Sequence, residues 1–355
     1  MERHPPETTP FIIPVFIPHT GCRHRCFFCD QSAITGQKAS LPEPGQIRRE
    51  ILSFLGYKKG SRSPVQISFY GGNFLGLPEK TVRRLLDVAS EFIKPGAVES
   101  IRFSTRPDTI DAERLGWIEK YPVATIEIGA QSMDEAVLSG SNRGHTAHDT
   151  EKAAVFLKTK GYETGLQMML GLPGDSAAGS LDTGRRIVDL DPDFVRIYPA
   201  IVLKNSVLAK WFMAGRYKPL SLEKAVETAG KLYRLFLNHQ IRVVRMGLQA
   251  SKELTRKNTI LAGPFHPAFG QLVISSLFFD SVSRTLKLVG NRQKTISLAV
   301  NPRSESNLRG QKNRNMESLK RLFSLDTIAV IPRLDLEVNE VVVNGGDPIS
   351  ILAGM

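Results

Sequence analysis

All three cysteines of the chain, Cys22, Cys26 and Cys29, fall in one segment, Pro18-His19-Thr20-Gly21-Cys22-Arg23-His24-Arg25-Cys26-Phe27-Phe28-Cys29. Three thiols cannot pair evenly, and no cysteine elsewhere completes a staple. Thiols clustered in this way point to a metal in a reducing compartment rather than to a disulfide framework. The spacing C-x3-C-x2-C suits three irons of a [4Fe–4S] cluster and leaves the fourth iron open to another ligand. Phe27 and Phe28 are placed to pack around such a cluster and keep out water, which tunes its potential. The alternative is zinc, held by the three thiolates with His19 or His24. No second zinc-like pair occurs in the chain.

Further polar residues and glycines stand where apolar, β-type runs end. In Tyr70-Gly71-Gly72-Asn73 the glycines let the backbone come close to a ligand. The amide oxygen of Asn73 can accept a hydrogen bond. In Phe103-Ser104-Thr105-Arg106-Pro107-Asp108, Ser104 and Thr105 are placed to bond a ribose or carboxylate, with Arg106 as a carboxylate clamp. Glu127 and Gln131, with Gly129 between them, suit ribose hydroxyls. Asn142-Arg143-Gly144-His145-Thr146 precedes a helix whose natural N-cap is Thr146, which leaves His145 a capping or packing role. The methionines of Gln167-Met168-Met169-Leu170-Gly171-Leu172-Pro173-Gly174 read as core.

The elements that must position these groups alternate regularly. β-rich runs occupy Ile12–Ile17, Val65–Phe69, Ser100–Ser104, Val123–Ile128, Thr164–Leu170 and Phe194–Tyr198. Amphipathic stretches lie between them at Pro44–Leu55, Pro78–Ile93, Asp111–Glu119, Thr146–Lys160 and Ala177–Val188. Six βα units with right-handed crossovers predict an α/β fold, a parallel sheet curled into a partial (β/α)6 barrel. Chemistry in such barrels sits at the C-terminal strand ends. Leu222–Asn238 is a further helix and Ile241–Met246 a closing segment. This first domain is expected to span residues 1–250.

Residues 255–355 change character and predict a small α+β domain. Leu272–Phe279 reads as the end of a buried helix. Arg284–Val289 and Thr295–Val300 read as strands joined at Gly290-Asn291. Two short helices around Arg309–Phe323 and strands Thr327–Ile331 and Glu340–Val343 follow, giving the order α-β-β-α-α-β. There is no internal repeat or low-complexity segment.

The chain has 355 residues, 41% of them apolar and 23% charged, enough for an ordinary globular core. No apolar run reaches the ~18 residues of a membrane helix. The polar N-terminus is not a signal peptide, which predicts a cytoplasmic protein. The formal charge is +12. Residues 284–321 hold ten Lys/Arg against two acids, which is +8 of that excess. Such a charge favours a polyanionic partner.

The cysteine loop resembles the signature of the radical S-adenosylmethionine (SAM) superfamily. Ile126–Gly174, Phe194–Tyr198, Gly215-Arg216-Tyr217 and Val244-Arg245-Met246 resemble the elongator catalytic subunit family, and also oxygen-independent coproporphyrinogen oxidases. The resemblance covers roughly residues 10–250. It implies that Cys22, Cys26 and Cys29 hold a [4Fe–4S] cluster whose open iron is chelated by SAM. Gly71, Gly72 and Asn73 then meet the methionine end of SAM, with Asn73 in place of the family's acid, and Ser104, Gln131 and Arg143 are further SAM candidates. It also implies an electron donor such as flavodoxin or ferredoxin. No Arg/Gln-x-x-Gly-x-Gly loop follows residue 250, so acetyl-CoA chemistry is not expected. The C-terminal element order resembles the bacterial KH domain, whose inter-helix loop clamps a single strand of RNA. Here that loop is Gly310-Gln311-Lys312-Asn313, flanked by Arg309 and Arg314. The expected function is modification of tRNA or rRNA by a radical SAM enzyme. The alternatives are a radical SAM enzyme on a small molecule such as a tetrapyrrole, and a non-catalytic iron–sulfur RNA-binding protein.

Overall fold

The computed structural model describes residues 10–17, 19–36, 40–57, 64–94, 97–251, 253–290 and 293–353. The polar start of the chain, Pro18, Asn291 and Arg292 lie outside the described residues.

The barrel strands are β1 (Phe11–Phe16), β2 (Val65–Tyr70), β3 (Ser100–Thr105), β4 (Val123–Gln131), β5 (Glu163–Leu170) and β6 (Phe194–Pro199). After the two-residue strand β7 (Val202–Leu203) comes β8 (Arg242–Met246). β1 to β6 and β8 form one seven-stranded parallel sheet in chain order. The outer strands β1 and β8 do not pair with each other, so the curled sheet is an open half-barrel. The closing segment thus adds a seventh parallel strand to the expected six.

Side chains alternate across the sheet, as the two-residue period of a strand requires. Phe69, Phe103, Ile126, Ile128, Leu166, Val195 and Ile197 are fully buried on the convex face. Their neighbours Gln66, Tyr70, Arg102, Glu127, Gln167, Arg196 and Tyr198 are polar and line the concave face, the lumen. The convex face is covered by the helices. These are α1 (Gln31–Thr35), α2 (Pro44–Gly56), α3 (Glu79–Ser90), α4 (Ala112–Ile118), α5 (Glu135–Gly140), α6 (Ala147–Thr159), α7 (Ala177–Asp189), α8 (Val207–Met213) and α9 (Leu222–Asn238), though α1, α5 and α8 belong to the loops above the strand ends. Thr146 caps α6 in a reciprocal capping box with Asp149, as its position before the helix predicts.

β9 (Ile260–Ala262) pairs antiparallel with β7, and α10 (Phe269–Leu288) follows. The expected strand Arg284–Val289 does not form, because most of it is the last turns of α10. The alternation Arg-Thr-Leu-Lys-Leu-Val fits a strand locally, but Val282 and Leu286 are four residues apart on one buried helix face. α10 is the spine between two cores. Phe269 and Val273 pack in the barrel, and Leu277, Phe278, Val282 and Leu286 pack in the C-terminal unit.

That unit continues with β10 (Thr295–Val300), α11 (Glu305–Arg309), α12 (Arg314–Phe323), β11 (Thr327–Pro332), β12 (Glu340–Val343) and β13 (Ile349–Ser350). The sheet order is β11-β10-β12-β13, with β10 and β11 parallel and β12 antiparallel to β10. The order is therefore α-β-α-α-β-β-β and not the expected α-β-β-α-α-β, so the element order no longer supports the KH resemblance. No helix among the described residues is long and apolar enough to cross a membrane.

Candidate active site and metal centre

The cysteine loop leaves β1 at the C-terminal end of the barrel and is tied down at both ends. Ile17 N–H donates to Tyr70 O (2.8 Å), His19 N–H to Gly71 O (3.0 Å) and Asn73 N–H to Thr20 O (2.9 Å). Farther along, Phe27 N–H donates to Ser141 O (3.1 Å), Leu208 N–H to Phe27 O (2.8 Å) and Asn142 Nδ2 to Arg25 O (2.8 Å). The Phe27 ring meets Trp211 edge-on at 4.9 Å. The glycines of Gly71-Gly72 serve this approach. A Cβ on Gly72 would stand 2.4 Å from Ile17 O, and one on Gly21 would stand 2.1 Å from Asn73 O. The close backbone contact is with the cysteine loop itself.

Asn73 holds the same junction with its side chain, which is 1% exposed. Its Oδ1 accepts from Thr105 Oγ1 (2.6 Å), Thr109 Oγ1 (2.9 Å) and Arg106 N–H (3.0 Å), and its Nδ2 donates to Gly21 O (3.1 Å). The amide oxygen expected to face SAM is thus occupied by the protein. The residue pins the end of β3 to the residue before Cys22.

The three thiols are free and half-buried. Burial pushes the Cys22 and Cys29 thiols up, and the neighbouring Cys26 adds to this. Arg143 opposes that effect at both. Its guanidinium donates to Cys26 Sγ (3.1 Å) and Gly129 O (2.6 Å), and through Nε to His145 Nε2 (3.2 Å). His145 must therefore carry its proton on Nδ1, beside Thr146 O at 3.1 Å. Burial and the Arg143 charge lower its pKa to about 4, so it stays neutral. His145 is a positioning residue for Arg143.

The charge of Arg106 also acts on the Cys22 thiol. Its Nε and Nη2 grip Asp108 at 2.8 and 3.0 Å, while its Nη1 is buried without a hydrogen-bond partner among the described residues. Ser104 is half-buried on the lumen side. Gln131, held at φ +69°, accepts from Gln167 Nε2 through its Oε1 (3.1 Å), which leaves its own amide donors over. Glu127 does not reach this ring of groups. Arg102 and Arg196 enclose it lower in the lumen, with Tyr70 OH on its Oε1 (3.0 Å), so it is not available to a ribose.

This donor set fits an iron–sulfur cluster better than zinc. Among the described residues no three His, Cys, Asp or Glu side chains converge on one metal ion. A [4Fe–4S] cluster needs no such point, since each thiolate binds a different iron. His19 Nε2 already accepts from Gln31 N–H (2.9 Å), and the His24 ring lies against Gly144. The buried orphan Nη1 of Arg106 fits a carboxylate ligand beside the cluster.

The Radical SAM superfamily profile matches residues 16–182, and the Radical SAM C-terminal domain matches residues 192–278. The chain belongs to the radical SAM superfamily. The cofactors of the superfamily, a [4Fe–4S] cluster and SAM, are its cofactors. It is 28% identical over 222 residues to an uncharacterized protein of Methanocaldococcus jannaschii, covering 59% of this chain and 67% of that one. It is 32% identical over 126 residues to the tRNA uridine(34) acetyltransferase of the same organism, covering 35% of this chain and 23% of the relative. Against Homo sapiens Elongator complex protein 3 the figures are 27% over 208 residues, 53% and 38%. The matches to the two named relatives thus span less than two thirds of their length. The structure of archaeal Methanocaldococcus infernus Elp3 has the same fold, with a TM-score of 0.60 at 20% identity over 81% of this chain and 65% of that one.

Strand periodicity and spacing located the cysteines, Ser104, Gln131 and Arg143, and the structure brings them to one end of the barrel. The role of Asn73 is set by residues far away in the chain, and that of His145 by its neighbour Arg143, which reaches across to Cys26. Arg102 and Arg196 each interrupt an apolar strand at an inward position, which is the sequence signal for the two buried cations around Glu127.

Proposed function

We propose that the chain is a radical SAM enzyme that modifies RNA. Cys22, Cys26 and Cys29 hold the cluster, and Arg143 supports the charge of the Cys26 thiolate. When bound and reduced by a donor such as flavodoxin or ferredoxin, the cluster supplies the electron that splits SAM to a 5′-deoxyadenosyl radical. The observation that carries the SAM site is the buried, unpartnered Nη1 of Arg106 beside Cys22, a donor suited to the carboxylate of SAM. Ser104 and the free amide donors of Gln131 suit its ribose. Asn73 and the two glycines hold the loop in place.

RNA is supported by the charge of the C-terminal unit and by the similarity to the tRNA uridine(34) acetyltransferase. Lys312, Arg314, Lys320 and Arg321 form no ion pair among the described residues, whereas Arg309 is held by Glu305 at 2.8 Å. Gly310, Lys312 and Asn313 all take positive φ. Asn315 Nδ2 fastens the turn to Ser275 O (2.8 Å) and Leu308 O (2.9 Å), so the cations stand on a fixed loop. Such a loop contacts phosphates without reading sequence. Acetyl-CoA has no part in this reading. Mass spectrometry of RNA nucleosides from cells lacking the protein tests it. A modified nucleoside should disappear or its precursor accumulate. An unchanged nucleoside profile would move the substrate to a small molecule.

A further inference from the structure

The floor of the lumen holds more positive charge than it needs. Arg102, Arg196 and Arg242 point inward from β3, β6 and β8, and only Glu127 and Glu163 answer them. Arg102 spends its guanidinium on Glu127 and on Gln66 Oε1 (2.9 Å). Arg242 donates to Glu163 (2.8 Å), which also accepts from Thr125 Oγ1 (2.5 Å). Arg196 is different. Its Nε and Nη2 bind Glu127 (2.6 and 3.1 Å), and Nη2 also donates to Tyr70 OH (3.1 Å). Among the described residues its Nη1 meets only Tyr198 OH at 3.5 Å, beyond an ordinary N–H···O bond. The side chain is 15% exposed, against 4% for Glu127 and 5% for Arg102. Tyr70 cannot supply a counter-charge, because burial and Glu127 raise its pKa to about 12.

We propose that Arg196 Nη1 and Tyr198 OH form an anchor in the lumen for an oxyanion, the carboxylate or phosphate of a small second substrate. One Nη1 hydrogen is aimed at Tyr198 OH, which leaves the second Nη1 hydrogen and the phenolic hydrogen without a partner among the described residues. Glu127 fixes the guanidinium from behind, so the donors are ordered before the ligand arrives. Glu127 is shared between Arg196 and Arg102, so the trio keeps one net positive charge, and in a low-dielectric site such a charge binds an anion more strongly than in water. The anchor lies on β6, directly below the strand ends that carry the cysteine loop, where Tyr70 is followed by the Gly71 that binds His19. An anchored molecule would thus be presented to the radical site. The proposal builds on the superfamily reading and adds a substrate class to it. RNA backbone phosphate is the rival source of the same chemistry, and the half-buried floor favours the smaller molecule.

The test is binding to the full-length, anaerobically purified holoprotein, with inorganic phosphate followed by 31P line broadening and acetate by 1H line broadening. Wild type should bind at least one probe, and the stronger one identifies the anion. Arg196→Gln should weaken it about tenfold or more. Tyr198→Phe should weaken it by about threefold; its hydroxyl has no other hydrogen-bond partner among the described residues, so the variant should fold. Arg242→Gln, on the far side of Phe194, should bind like wild type. Saturating SAM and a short single-stranded RNA should leave the probe in place. Equal binding in wild type, Arg196→Gln and Tyr198→Phe would overturn the anchor. Displacement by SAM would give the site to the cofactor, and displacement by RNA would give it to the nucleic acid; either result also overturns the assignment. None of these measurements requires turnover, so loss of the RNA-modification reading would not be mistaken for loss of the anchor.

Discussion

Replacing Asn73 separates a structural role from a SAM-binding one. In Asn73→Leu, three buried partners, Thr105 Oγ1, Thr109 Oγ1 and Arg106 N–H, and the half-buried Gly21 O lose their contact. The two hydroxyls can still satisfy each other at 3.1 Å, and Thr109 also reaches Arg106 O at 2.9 Å. Two backbone groups remain orphaned, at about 1–3 kcal/mol each, so the variant should lose about 2–6 kcal/mol. The damage falls on the residue before Cys22, so iron should be lost with stability. Asn73→Asp supplies a carboxylate, the kind of group that the family's Gly-Gly-Glu motif carries here, and sharpens the comparison. Its carboxylate keeps the three donors but sets an oxygen against Gly21 O in place of an N–H. The structure predicts weaker iron retention and no gain in SAM affinity. The assays are urea unfolding, iron per chain after anaerobic reconstitution and desalting, and equilibrium dialysis of SAM. If Asn73→Asp retains iron like wild type and binds SAM more tightly, the latch role is wrong and the amide faces the cofactor.

Glu127→Gln should cost about 3–5 kcal/mol in urea unfolding, because it leaves two buried guanidinium groups without their anion. Burial works to raise the Glu127 pKa, but Arg196 and Arg102 outweigh it and hold it below the ordinary value. A depressed folded-state pKa gives stability that is present above the unfolded pKa near 4.5 and fades as pH falls below it, so the variant should show a flatter acid limb in that window. Gly72→Ala must push back Ile17 O, which lies 2.4 Å from the added Cβ, and should lower reconstituted iron by more than Gly116→Ala, where nothing lies within 4 Å. Replacing Lys312 and Arg314 together by Glu should weaken RNA binding and flatten its salt dependence, measured by fluorescence anisotropy of total tRNA, while leaving iron content unchanged.

The barrel was legible because two signals agreed. Apolar runs of strand length alternated with amphipathic helices, and the polar groups clustered where the runs ended. Cys22, Cys26 and Cys29 were legible because metal spacing is local. Arg284–Val289 was not, since six residues of alternating pattern suit either element and only the core on Leu286 decides. Asn73 and Glu127 were seen as polar groups near a ligand but not as latch and counter-ion. Their partners Thr109, Arg102 and Arg196 come from other strands and loops, at distances along the chain that no local pattern encodes.

The central claim is that three thiols and the arginines around them hold a cluster that cleaves SAM. The most direct measurement is 5′-deoxyadenosine formed by the reduced, anaerobically reconstituted protein with SAM, read together with iron content. Wild type should carry about four irons per chain and form the product. Cys26→Ala should lose both, and Arg106→Gln should keep the iron but need more SAM. A wild-type protein with its full complement of iron that forms no 5′-deoxyadenosine, with or without total cellular RNA, would contradict the account.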